Sequence, residues 1–144
     1  MLEMYLIDTN VLSDVRKKSK ANPGVLDFFD RVNASELRVY ISVITVGELR
    51  RGVELIRHRG DSGQAEHLEK WLQSLLNEYS DHILGLDADT AQLWGLLRVP
   101  RSENALDKQI AATALIHDLT VVTRNEKHFV DTGVTVLNPF KATS

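Results

Sequence analysis

The sequence contains no cysteine. Disulfides, zinc–thiolate sites and a thiol nucleophile are thereby excluded, and a chain of this kind suits a reducing compartment. No apolar run approaches the roughly 18 residues of a membrane-spanning helix. No basic start precedes an apolar stretch of the secretory type. The expected location is the cytoplasm, with no membrane partner. There is no internal repeat and no low-complexity segment. A large excess of one charge is also missing: the formal net charge is −3, which argues against a general coat for nucleic acid.

What remains is an ordinary globular composition, with 43% hydrophobic and 26% charged residues. At 144 residues the chain is long enough to bury a core, and a single domain over 1–144 is expected. Charge is unevenly spread. Residues 1–60 carry ten Lys/Arg against eight Asp/Glu, and residues 61–144 carry seven against twelve. Basic residues cluster as Arg16-Lys17-Lys18-x-Lys20, Arg50-Arg51 and Arg57-His58-Arg59. Such clusters suit phosphates, and equally a solvated helix face.

Short apolar runs alternate with helical spacing. Strands are expected at 4–8, 37–42, 83–86, 120–123 and 134–137. Helices are expected from Asn10 to about Lys18, from Val25 to Val32 with Leu26, Phe29 and Val32 inward, and from Thr45 to about Arg57. Further helices are expected from Gln64 to Tyr79, from Asp87 onwards, and from Ala105 to His117. This order predicts an α/β fold, a three-layer α/β/α domain around a mostly parallel sheet of about five strands. In such a sheet every strand ends on one edge, and ligands bind there.

Polar residues gather at that edge. Asp8 closes the run Met4-Tyr5-Leu6-Ile7. Glu48 follows the second strand, Asp107 opens the helix before the fourth, and Asn125 follows the fourth in Val122-Thr123-Arg124-Asn125. Each acid has a plain alternative role. Asp8 suits a helix cap, Thr45-x-x-Glu48 fits a capping box, and Asn104-x-x-Asp107 fits the same device. Asp87 and Asp89 read as caps with no further part. Caps explain the acids singly but not their convergence. Clustered carboxylates repel unless a cation lies among them. With oxygen donors only, and no Cys or His at ligand spacing, the expected ion is Mg²⁺ or Mn²⁺. The chemistry implied is hydrolysis of a phosphate ester.

The motifs Leu6-Ile7-Asp8-Thr9-Asn10-Val11-Leu12-Ser13, Ser42-x-Ile44-Thr45-x-x-Glu48-Leu49, Asp107-x-x-Ile110-Ala111-Ala112-Thr113-Ala114, Val122-Thr123-Arg124-Asn125 and Val134-x-Val136-Leu137-Asn138-Pro139-Phe140 occur in this order across nearly the whole chain. In that order and spacing the chain resembles the PIN-domain ribonucleases, specifically the VapC and FitB-like toxins of bacterial toxin–antitoxin pairs. The resemblance implies a Mg²⁺- or Mn²⁺-dependent endoribonuclease. Asp8, Glu48 and Asp107 match the family's metal-binding acids. Many relatives place a fourth acid where this chain has Asn125, whose carbonyl can still ligate an ion or hold a water. Asp14 stands where relatives often carry Glu. Thr9 and Asn10 would order the Asp8 loop, with Thr123 assisting.

The resemblance further implies a structured RNA substrate such as a tRNA. Arg16, Lys17 and Arg50 are candidates for its backbone. It also implies a homodimer, a VapB-type antitoxin directing an Arg-like group at the acids, and operator DNA reached only through that antitoxin. Leu68, Trp71, Leu72 and Tyr79, or Trp94, would line a partner groove or simply pack the core. Two other functions compete. One is an aspartyl phosphatase with Asp8 as nucleophile, although the chain lacks a second acid close behind it. The other is a binding module of the same fold without catalysis, for which Asn125 is the one argument.

Overall fold

The computed structural model describes residues 3–141. The strands are β1 (Met4–Ile7), β2 (Arg38–Ser42), β3 (Ile83–Leu84), β4 (Thr120–Val122) and β5 (Val136–Leu137). The helices are α1 (Thr9–Val15), α2 (Pro23–Ser35), α3 (Val43–His58), α4 (Ser62–Glu78), α5 (Ala88–Leu97) and α6 (Ala105–His117). Two short 3-10 turns, Lys18–Lys20 and Glu126–Phe129, were not expected from sequence. The strands form one sheet in the order β3-β2-β1-β4-β5, and every pairing is parallel. Among the described residues no helix is long and apolar enough to cross a membrane.

Alternation along the central strands builds the three layers. Tyr5 and Ile7 of β1 and Val122 of β4 face a core with α1, α2, α3 and α4. Leu6 and Val121 face the other way, onto Ile110, Ala111 and Ala114 of α6. Small alanines let α6 lie close to the sheet. Both faces are thus covered, as a parallel sheet requires.

The inward face of α2 is turned from the expected one, although Val32 is buried as expected and Phe29 packs against the core's edge. Val25, Phe28 and Val32 are the buried residues, while Leu26 and Phe29 sit at its flanks. Pro23 occupies the first turn, and the Asn22 side chain accepts from the Gly24 amide at 2.8 Å. With the helix so started, Phe28 meets Tyr5 edge-on at 5.1 Å. Gly24 has a second role. A Cβ there would fall 2.0 Å from the carbonyl oxygen of Pro139, so only glycine lets the C-terminal segment cross here.

The capping assignments also change. Ser42, not Thr45, caps α3: its hydroxyl accepts from the Ile44 amide at 3.0 Å. Thr45 therefore lies within the helix and no capping box forms with Glu48. Asn104 takes a left-handed conformation and makes no side-chain cap, so Asp107 is not part of a box either. Asp87 does cap α5, as expected. Of the α4 stripe, Leu72, Leu75 and Tyr79 are buried in the core, while Leu68, Trp71 and Leu76 pack partly against it. Trp94 donates to the Ala105 carbonyl at 2.9 Å, tying α5 to α6.

Candidate active site

Strand order reverses around β1, which pairs with β2 on one side and β4 on the other. That is the switch point where open parallel sheets leave a crevice. Asp8 stands there, 3% exposed. Its amide donates to the Val122 carbonyl at 2.9 Å, which locks it to β4. One carboxylate oxygen accepts from the Thr9 amide at 2.8 Å, so Asp8 does cap α1. The other accepts from the Thr123 hydroxyl at 2.8 Å and from the Asn10 amide at 3.3 Å. Asn10 in turn accepts from the Arg124 backbone amide at 3.0 Å. The Thr123 hydroxyl also accepts from the Asn125 amide at 3.0 Å.

Glu48 joins this web from α3. Its carboxylate accepts from the Thr9 hydroxyl at 3.0 Å. One helical turn earlier, Thr45 is fully buried and its hydroxyl has no hydrogen-bond partner. Asp107 reaches the same edge from the first turn of α6. There Oδ2 lies 2.7 Å from Nδ1 of His128. The Asn125 side chain caps nothing, and its backbone alone is bonded to the web.

Electrostatics tie the three acids together. Burial pushes the Asp8 carboxyl up, hydrogen bonds from Thr123, Thr9 and Asn10 oppose this, and the charge of Asp107 adds to it. Burial likewise raises Glu48. The Thr9 bond lowers it, the charges of Asp8 and Asp107 raise it, and Arg51 lowers it. Folding thus favours the protonated forms of both. That contribution is complete below the unfolded carboxylate range and is lost as pH rises through the raised folded values. The window opens at about pH 4 and extends upward from there. Acidification from neutral pH to about pH 4 should therefore favour the melting temperature of the wild type more than that of Asp8→Asn. Thermal melts of both proteins at each pH check this; equal shifts would contradict the assignment.

The donor set is of the kind a hard divalent ion takes: carboxylate oxygens only, with Asp8 and Glu48 raised in part by neighbouring negative charge that a cation would offset. Among the described residues no three Asp, Glu or His side chains stand ready around one ion. An ion here would keep waters and be completed by substrate, as Mg²⁺ usually is.

The three basic residues expected at an RNA backbone each have a partner within the fold. Arg50 is spent on structure: two 2.6 Å bonds reach Glu69 on α4 and one of 3.0 Å reaches Glu54. That pairing holds the Glu69 carboxyl down to about 2. Lys17 pairs with Asp14 at 3.3 Å. The Arg16 guanidinium lies over the Trp71 ring, 5.9 Å from its centroid. Two groups lie nearer the acids: Arg51 of the basic pair Arg50-Arg51, and His128, which the sequence does not single out. Arg51 lies on the Glu48 face of α3, a placement that the three-residue spacing could have shown. His128 carries no such signal, because it lies 21 residues from Asp107 in sequence.

A parallel sheet with Asp8, Glu48 and Asp107 near its switch point, covered by helices on both faces, defines a three-layer α/β domain with an acidic edge. A family model described as PIN domain matches residues 5–134. The chain is 36% identical over 142 residues to Toxin FitB of Neisseria gonorrhoeae, covering 95% of this chain and 99% of that protein. It is 28% identical over 145 residues to VapC ribonuclease Y4jK of Sinorhizobium fredii, covering 96% and 99%. In the solved structure of FitAB bound to an IR36 DNA fragment, one chain superposes with a TM-score of 0.78 at 33% identity, covering 98% of this chain and 99% of that one. The chain belongs to the PIN-domain family.

Proposed function

We propose that this protein is a Mg²⁺- or Mn²⁺-dependent endoribonuclease, the toxin of a VapC-type toxin–antitoxin pair. The observation that carries the reading is the convergence of Asp8, Glu48 and Asp107, from three separate elements, on the switch point. The similarity to a VapC ribonuclease supports it.

A divalent ion bound at the acids would neutralise charge on a phosphoryl group and acidify a water. Asp8, pinned by Thr9, Asn10 and Thr123, offers a carboxylate whose position is set before substrate arrives. Asp107 offers a second. Glu48 either joins them or accepts a hydrogen bond from the attacking water and aligns it. Asn125 extends the polar rim without adding charge. In-line attack of water on phosphorus breaks the P–O3′ bond, leaving a 5′-phosphate and a 3′-hydroxyl. Purified protein incubated with RNA with and without Mg²⁺, beside Asp8→Asn, tests the whole reading.

RNA of a structured type, such as a tRNA, would place the protein in the cytoplasm. Arg51 is proposed as a phosphate contact beside Glu48. In an Asp8→Asn background, Arg51→Ala should weaken RNA binding and reduce the salt slope by about one. Arg50→Ala should leave that slope unchanged, because its guanidinium already serves Glu54 and Glu69. Binding titrations at several salt concentrations separate the two.

An antitoxin partner is supported by the FitAB complex. A groove of about 430 Å³, lined by residues including Val15, Arg16, Phe29, Trp71 and Tyr79, offers it an apolar seat. The acid cluster suits an Arg from that partner. Such a toxin would form a homodimer and reach operator DNA through the antitoxin.

A further inference from the structure

We propose that His128 is a positioning residue of this site: its Nδ1–H holds Oδ2 of Asp107, leaving Oδ1 as the oxygen offered to a divalent ion. The inference rests on the metal-dependent reading above.

The three acids are held differently. Asp8 and Glu48 are fixed by hydroxyl and amide donors from α1 and from Thr123, just past the end of β4. The side-chain hydrogen bond to Asp107 comes from His128, at 2.7 Å. An ionised carboxylate only accepts, so the hydrogen lies on Nδ1. A bond this short to a charged acceptor is of the stronger kind.

Packing sets that distance. His128 belongs to the 3-10 turn Glu126–Phe129. The next residue, Phe129, is 1% exposed and lies in the core with Ile110 and Ala111 of α6. Those two follow Asp107 by three and four positions, so all three share a helix face. The phenyl ring therefore clamps the turn against the part of α6 that carries Asp107. The imidazole itself is 43% exposed, so the core does not need it as filler. A carboxylate that binds metal with one oxygen commonly has its other oxygen held in this way, and removing the holder weakens metal binding about 10- to 100-fold.

Calorimetric titration of the full chain with Mn²⁺ tests this, with Asp107→Ala as the reference for a broken site. His128→Ala should bind Mn²⁺ about 10- to 100-fold more weakly than wild type. His128→Asn should recover most of the loss, because its amide nitrogen falls near the Nδ1 position. Long-range ¹H–¹⁵N spectra of the metal-free protein should show the His128 proton on Nδ1, and both variants should melt at the wild-type temperature. If His128→Ala binds as wild type does while Asp107→Ala does not, the role of His128 is overturned and the metal reading stands. If Ala and Asn at 128 weaken binding equally, the ring acts otherwise than through Nδ1–H and the proposal is also overturned. If Asp107→Ala binds like wild type, the metal reading fails and takes this inference with it.

Discussion

Asp8→Asn is expected to lower metal-dependent RNA cleavage by roughly 1000-fold or more while leaving the fold in place. Charge neutralisation at a phosphoryl group is worth several kcal/mol, and each 1.36 kcal/mol is about tenfold in rate. Asn keeps the size of the side chain and one acceptor oxygen, enough for the cap on α1, and the backbone bond from the residue-8 amide to Val122 is untouched. It cannot keep the charge. The buried position makes that charge matter, because water screens it poorly. The same substitution should remove Mn²⁺ binding and preserve the circular dichroism spectrum. Cleavage within about tenfold of wild type, which is less than 1.4 kcal/mol of barrier, would sink the assignment of Asp8. Cleavage equally strong in wild type without any divalent ion would sink the metal-dependent reading, and no cleavage under any condition would favour a binding module.

The largest loss of stability is expected from Phe28→Ala. Phe28 is 2% exposed and packs edge-on against both Tyr5, at 5.1 Å, and Phe29, at 5.2 Å. Truncating a buried phenylalanine costs about 3–5 kcal/mol, from lost burial plus the cavity left behind. Domains are stable by only about 5–15 kcal/mol. The melting temperature should fall by roughly 10 °C. Tyr5 lies on β1, three residues before Asp8, so loss of this contact also loosens the strand that presents the acid. Val130→Ala is the contrast: Val130 is 73% exposed, and its truncation should stay within about 0.5 kcal/mol. Thermal or urea melts compare the two, and similar melting for both variants would refute the assigned packing.

Much of the architecture follows from local signals. Apolar runs ending in Asp8 and in Ser42 mark strands that emerge at the sheet edge. The helix expected from Ala105 to His117 has both its ends in place, because an Ala-rich stretch between loop residues and a new apolar run leaves little choice. The family motifs also lie along the sequence, so Asp8, Glu48 and Asp107 could be singled out together. The errors share a cause. Val25, Leu26, Phe28, Phe29 and Val32 are all apolar, so spacing alone permits two inward faces for α2, and contact with Tyr5 selects one. Glu48 and Asp107 both fit a capping box by spacing, yet the cap of α3 came from Ser42 and the residue before α6 turned left-handed.

The sequence by itself determined the class of fold, the strand ends that carry acids and the oxygen-rich character of the site. Those depend on periodicity and residue type, which neighbours in the chain express. The tertiary structure alone decided which groups serve the acids. The Thr9–Glu48 bond spans 39 residues, the Thr123–Asp8 bond spans 115, and the His128–Asp107 contact spans 21. It also showed that Arg50 is committed to Glu69 while Arg51 stays near Glu48. Hydrogen bonds and ion pairs act over a few ångströms, so partners this far apart in sequence meet only once the sheet has stacked β1 beside β4 and packed α3 and α6 against it.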